Sequence, residues 1–153
     1  MSMIEKKLEQ MGIVLPEAPD PIASYVSVKR DGKTLYFSGA GPTREGKAAV
    51  QGKLGEDLTI EQGYHAARMG AINLIAAMKR ELGDLDQVDQ ILKLFGLVAC
   101  ADDFYQQPQV MNGASDLFAE VFGDRGRHAR SAVGTNVLPL NLPVEIEIVI
   151  KIK

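Results

Sequence analysis

The most regular pattern in the chain lies at its C-terminal end. There Val144, Ile146, Ile148, Ile150 and Ile152 alternate with Glu145, Glu147, Val149 and Lys151. A period of two sends each set to its own face of a β-strand, with the branched apolar set turned inward. Upstream, Tyr64, Ala67, Ala71, Leu74, Ile75 and Met78 recur at helical spacing, and the alanines let that helix lie close against a sheet. Thr59 followed by Gln62 is a capping-box pattern, so the helix is predicted from Ile60 to about Leu82, stopping at Gly83. A second helix is predicted from near Pro108, with Val110, Met111, Ala114, Leu117, Phe118, Val121 and Phe122 on its apolar stripe and Gly123 at its end. Between the helices, Val88 to Ala99 carries little polarity and reads as a strand buried on both faces.

The remaining elements are shorter. Ser2 to Gln10 is a helix with Ile4, Leu8 and Met11 on one stripe, ended by Gly12. Pro16, Pro19 and Pro21 then impose an extended covering segment. Tyr25 to Lys29 and Thr34 to Ser38 read as strands joined by the hairpin signal Asp31-Gly32. Thr43 to Leu54 is a loop or a looser second hairpin around Glu45-Gly46. Arg130 to Val137 is a strand, and Leu138 to Pro143 is a turn that would make it the antiparallel partner of the last strand, with Glu145 within a few residues of Arg130 across the ladder. The order of hairpin, helix, strand, helix and paired strands predicts one α+β domain over residues 1–153, with residues 1–18 as a helical and proline-rich extension. Two helices cover only one face of such a sheet. The other face is half apolar, which predicts burial against a copy of the same chain.

Composition narrows the partners. A net charge of −3 gives no general attraction for nucleic acid. Cys100 is the only cysteine, so no internal disulfide forms and a reducing compartment is expected. The opening MSMIEKKLEQ lacks the apolar stretch of a secretory signal, and no apolar run approaches the length of a membrane helix, so the expected location is the cytoplasm.

Candidate chemistry is sparse. His65 and His128 are far apart, Cys100 stands alone, and no metal-ligand spacing occurs, so no metal is expected. The run GRHARSAVGT holds Arg127, His128 and Arg130. Arg130 stands at the entry to a strand, where a rigid backbone can aim its planar fork at a carboxylate; the alternative is a surface charge or a subunit salt bridge. Glu145, on the polar side of the last strand, could hold a water or shuttle a proton, or could be a solvated glutamate. Tyr25, after the proline-rich segment, could close over a ligand or simply pack. Asn112 on the second helix could bind a carboxylate or face solvent. His128 reads as a loop histidine and Cys100 as core.

The stretches PIASYVSVKRDGKTLYFSGAGP and ARSAVGTNVLPLNLPVEIEIV, with the intervening helix–strand–helix order, resemble the Rid family of enamine and imine deaminases, also called the YjgF or L-PSP endoribonuclease-like family. The resemblance covers roughly 19–150 and implies a chorismate-mutase-like subunit, related to the ferredoxin-like folds, with an antiparallel or mixed sheet. It further implies a homotrimeric barrel with ligand clefts between subunits and no cofactor. The family arginine matches Arg130, the glutamate Glu145, the tyrosine Tyr25 and the strand-end glycine Gly39, with Asn112 near the family's helix asparagine. The implied activity is hydrolysis of 2-imino acids, of the 2-iminobutanoate and 2-iminopropanoate type, to 2-keto acids and ammonia: Arg130 clamps the carboxylate and Glu145 positions water. The alternatives are a non-catalytic trimer that binds small carboxylates, and an endoribonuclease. The chain departs from the family at Ala132, where many members have cysteine, in PQVMNGASDLF on the second helix, around 124–128, and in its N-terminal helix. These departures place it in a longer, divergent branch.

Overall fold

A computed structural model describes all 153 residues. Its elements run α1 (Met3–Gln10), β1 (Val28–Asp31), β2 (Thr34–Ala40), β3 (Thr43–Arg44), β4 (Lys47–Ala48), α2 (Ile60–Leu82), β5 (Val88–Ala99), α3 (Gln107–Phe122), β6 (Ala129–Thr135) and β7 (Val144–Ile152). Five strands form one mixed sheet in the order β1-β2-β7-β5-β6, while β3 and β4 make a separate small hairpin at Glu45-Gly46. The first sheet strand begins at Val28, later than the predicted Tyr25.

The long helix forms where its caps dictate. The Thr59 hydroxyl accepts the Gln62 N–H at 3.2 Å, and the Gln62 side chain accepts the Thr59 N–H at 2.8 Å. Such a cap contributes about 1 kcal/mol. Helices α2 and α3 lie side by side on one face of the sheet. A Cβ at Gly113 would stand only 1.9 Å from the Tyr64 carbonyl oxygen, so this position admits no side chain and the two helix backbones are almost in contact. Under them, Val144, Ile146, Ile148, Ile150 and Ile152 are buried with Leu94, Val98, Leu35 and Phe37, as the alternation of the last strand requires.

The N-terminal extension is part of this core. Ile4 and Leu8 are buried in the same cluster as Ile152. Asp86, in the turn before β5, accepts the Met3 and Ile4 N–H groups at 2.8 and 3.0 Å. Glu5 pairs with Lys79 of α2.

One sequence expectation is overturned. β6 does not pair with β7. It lies at the sheet edge, parallel to β5, with Leu94 opposite Arg130, and β7 is inserted between β2 and β5. The reason is that β5–α3–β6 is a strand–helix–strand unit, whose long crossover returns a parallel neighbour. The segment from Asn136 to Pro143 then arches over the end of β5, where the Ala99 N–H donates to the Pro143 carbonyl. The strand with the unbroken isoleucine alternation takes the central place, and the strand carrying Arg130, Ala132 and Gly134 takes the edge.

β5 also differs from expectation. Its helix side is buried, but Lys93, Phe95 and Leu97 face the other way and are only partly covered or exposed. Tyr36, Val149, Phe95, Leu97 and Val133 share that helix-free face with Lys93, Glu145, Glu147 and Ser131.

Candidate functional site

Arg130 points to the helix side of the edge strand. Along the outer flank of α3, Pro108, Asn112 and Ser115 follow one another at helical spacing. The Arg130 guanidinium lies across them: Nη1 donates to Asn112 Oδ1 at 2.9 Å and to Ser115 Oγ at 3.1 Å, and Nη2 donates to the Pro108 carbonyl at 3.3 Å. A guanidinium has five N–H donors, so Nε–H and one Nη2–H have no protein acceptor. Arg130 makes no ion pair, since the salt bridges of the chain involve Arg68, Lys79, Arg80, Arg127 and Lys151. The fork is therefore held in place yet keeps charge and donors for an anion.

Ser115 and His128 extend this cluster. His128 Nδ1 is 2.7 Å from the Gly126 carbonyl oxygen, which can only accept, so Nδ1 carries the proton. Nε2 of the neutral ring is then the acceptor, and the Ser115 hydroxyl donates to it at 2.9 Å. Burial pushes the His128 pKa down, and the nearby Arg130 charge adds to this, against the opposing effect of the Gly126 bond. A cavity of about 320 Å³ opens beside these groups, lined by Asn112, Ser115, Asp116, Arg127, His128 and Arg130 among others.

Glu145 belongs to a different place. It alternates with buried Val144 and Ile146, pairs with Leu97, and so stands on the helix-free face. It is half-buried, and its pKa is raised, first by burial and then by the Glu147 charge. Gly39 of β2 is its floor: a Cβ there would come within 2.8 Å of Glu145 Oε1. The strand end is also where the N-terminal segment passes, since the Ser38 hydroxyl donates to the Val26 carbonyl at 2.6 Å. Tyr25 precedes this contact. The residue is 46% exposed and its phenol oxygen accepts the Ile22 N–H at 3.5 Å.

The sequence-predicted residues thus fall into two groups. Arg130 and Asn112 meet on the helix side of β6, while Tyr25, Gly39 and Glu145 lie around β2 and β7. One chain does not bring Arg130 and Glu145 together. His128 stands in the loop before β6, as the sequence predicts, but its bond to Ser115 is not foreseen, and Ser115 itself is not singled out by the sequence. The available signal was the spacing of Ser115 from Asn112 on the helix and the closeness of His128 to Arg130. No group of three or more His, Cys, Asp or Glu side chains is placed to hold a metal ion, and no helix is long and apolar enough to cross a membrane.

Comparison with known proteins agrees with this architecture. The family model described as "YjgF/chorismate mutase-like, putative endoribonuclease" matches residues 5–150. Protein TCP17 of Trypanosoma cruzi is 39% identical over 150 residues, covering 97% of this chain and 94% of that protein. The crystal structure of Atu1372, a protein of unknown function from Agrobacterium tumefaciens, has 42% identity and a TM-score of 0.91, covering 98% of this chain and 92% of the other. A structure described as a putative endoribonuclease from Shewanella oneidensis has 34% identity and a TM-score of 0.94, covering 97% and 99% of the two chains.

Proposed function

Because the chain belongs to the YjgF/chorismate mutase-like family, also known as the Rid family, we propose that it is a hydrolase of small 2-imino acids, releasing 2-keto acids and ammonia. The observation that carries this reading is the Arg130 guanidinium, anchored on α3 by three hydrogen bonds and free of any ion pair. Its unpaired Nε–H and Nη2–H form a side-on fork that suits a carboxylate.

In this mechanism Arg130 fixes the carboxylate and orients the adjacent C=N carbon. Glu145 holds a water, whose oxygen adds to that carbon while a proton passes to the nitrogen. The resulting carbinolamine collapses to the C=O product as the C–N bond breaks, and Glu145 returns a proton to the departing ammonia. A carboxylate whose pKa is raised by burial is suited to both transfers. The protonated imine is already electrophilic, so orientation toward one water supplies much of the acceleration. No metal or organic cofactor takes part.

The separation of Arg130 from Glu145 within the chain favours a site closed between subunits. In a homotrimer, the Arg130 cluster of one subunit would face the Glu145, Gly39 and Tyr25 group of its neighbour. The helix-free face, with Tyr36 and Val133 at 50% and 40% exposed, offers apolar surface for that contact. The cytoplasm remains the proposed location.

A second reading, a trimer that binds small carboxylates without turnover, draws on the same cluster, because the Arg130 fork is complete without Glu145. An endoribonuclease gains no support from an acidic chain whose two histidines stand apart, His65 on α2 and His128 in the loop before β6. The deciding experiment follows imine disappearance in situ with wild type, Arg130→Ala and Glu145→Gln, each first checked for trimer formation by sedimentation. Loss of hydrolysis in both variants with assembly intact is expected. Pyruvate binding without any hydrolysis by wild type would select the second reading.

A further inference from the structure

We propose that Ser115 and His128 are positioning residues for Arg130, holding its guanidinium so that the unpaired Nε–H and Nη2–H edge is presented to the ligand. The inference rests on the reading of Arg130 as the carboxylate clamp, and it assigns the side chains that set its aim. The bonds run in one direction. Arg130 Nη1 donates to Ser115 Oγ, the Ser115 hydroxyl donates to His128 Nε2, and His128 Nδ1–H donates to the Gly126 carbonyl. Each member has its role fixed by the next, because a guanidinium only donates and a carbonyl only accepts. The ring of His128 is further fixed by an edge contact with Phe118 of the core, 6.0 Å between centroids at 88°. The chain of bonds thus ties a surface-reaching cation to the packed interior.

Ser115 next to a histidine also suggests a nucleophile, but its setting excludes that role. It lies within α3, where the backbone N–H groups are engaged in the helix, so no backbone pair is available to stabilise an oxyanion. Its oxygen also already receives the Arg130 N–H. The pair holds Arg130 and does not attack a substrate. Asn112 on Nη1 and the Pro108 carbonyl on Nη2 are the other anchors, but only the Ser115 bond ties the fork, through His128, to the Gly126 carbonyl.

The test combines kinetics with a ligand-independent readout on the full chain. With 2-iminopropanoate generated in situ, Ser115→Ala is expected to raise KM about tenfold while kcat stays within about twofold, the size of effect for releasing one bond of a charged group. Ser115→Thr keeps the hydroxyl and should restore KM. His128→Gln keeps an acceptor at the Nε2 position and should resemble wild type, whereas His128→Phe should resemble Ser115→Ala. A wild-type KM in both Ser115→Ala and His128→Phe, with Arg130→Ala inactive, overturns the proposal and leaves the clamp standing. If Arg130→Ala changes neither hydrolysis nor pyruvate binding, the clamp reading fails instead. Positioning is then decided by side-chain 15N NMR: separate Arg130 Nη signals in wild type that merge in Ser115→Ala support it, and unchanged signals overturn it.

Discussion

Arg130 and Glu145 stand on opposite faces of one sheet. Arg130 is opposite Leu94 and bonded to α3, while Glu145 is opposite Leu97 and rests on Gly39. β5 lies between their strands, so they are separated by about 10 Å of sheet width as well as by the sheet itself. Catalysis that uses both therefore predicts complementation between subunits. Arg130→Ala and Glu145→Gln chains, each inactive alone, should regain activity when co-refolded in equal amounts. If each cleft takes its arginine from one subunit and its glutamate from the next, about one cleft in four is intact. Imine hydrolysis at about a quarter of the wild-type rate is expected, and no recovery at all would reject a cleft that draws on both residues.

Gly39 offers a test of Glu145 that leaves Arg130 untouched. The nearest obstacle to a Cβ at Gly39 is the Glu145 carboxylate, the movable end of a side chain, and not backbone. Gly39→Ala should fold and displace that carboxylate. Turnover is expected to fall by about a hundredfold, the lower range for a lost acid–base group. Pyruvate affinity should stay near that of wild type. An unchanged kcat would show that the carboxylate's position does not matter.

Burial of Glu145 also has a cost that can be measured as stability. Its folded-state pKa is raised, first by burial and then by Glu147, so the folded chain binds the proton more tightly than the unfolded one. Stability from this group accordingly falls as pH rises from the unfolded pKa through the folded one, and ionised Glu145 is destabilising above that window. Glu145→Gln should raise Tm at neutral pH, with the gain shrinking on acidification. Glu147→Gln should shift the acid limb of the pH–rate profile to lower pH. A Tm difference between Glu145→Gln and wild type that is independent of pH would contradict this account.

Much of this architecture is legible in the sequence because its signals are local. Thr59, Gln62 and Gly83 bound α2 at the predicted positions, and the alternation from Val144 gives β7 its buried face. Pairing is not local. The short turn before Val144 suggested a β6–β7 hairpin, but the preceding strand–helix–strand unit had already placed β6 beside β5. The same limit applies to the site. Arg130 and Glu145 can each be picked out by type and position, but their separation depends on the strand order. Ser115 becomes visible only once α3 is laid beside β6.

The N-terminal extension provides the last prediction. Its composition suggests an appendage, yet Leu8 is 2% exposed and packs in the central cluster. Ser2 caps α1 through the Glu5 N–H at 3.0 Å, and Asp86 accepts two further N–H groups of its first turn. Those two bonds, Ile4 first and then Met3, hold the Asp86 pKa below its ordinary value. This stabilisation is present above the unfolded carboxylate pKa and is lost as pH falls through the depressed folded one. Leu8→Ala should cost about 2–5 kcal/mol by leaving a cavity. Ser2→Ala should cost about 1 kcal/mol by removing the cap. Asp86→Asn should lower denaturant midpoints at neutral pH, with its difference from wild type narrowing in acid. If removal of residues 1–12 leaves the denaturation midpoint unchanged, α1 is not part of the cooperative unit.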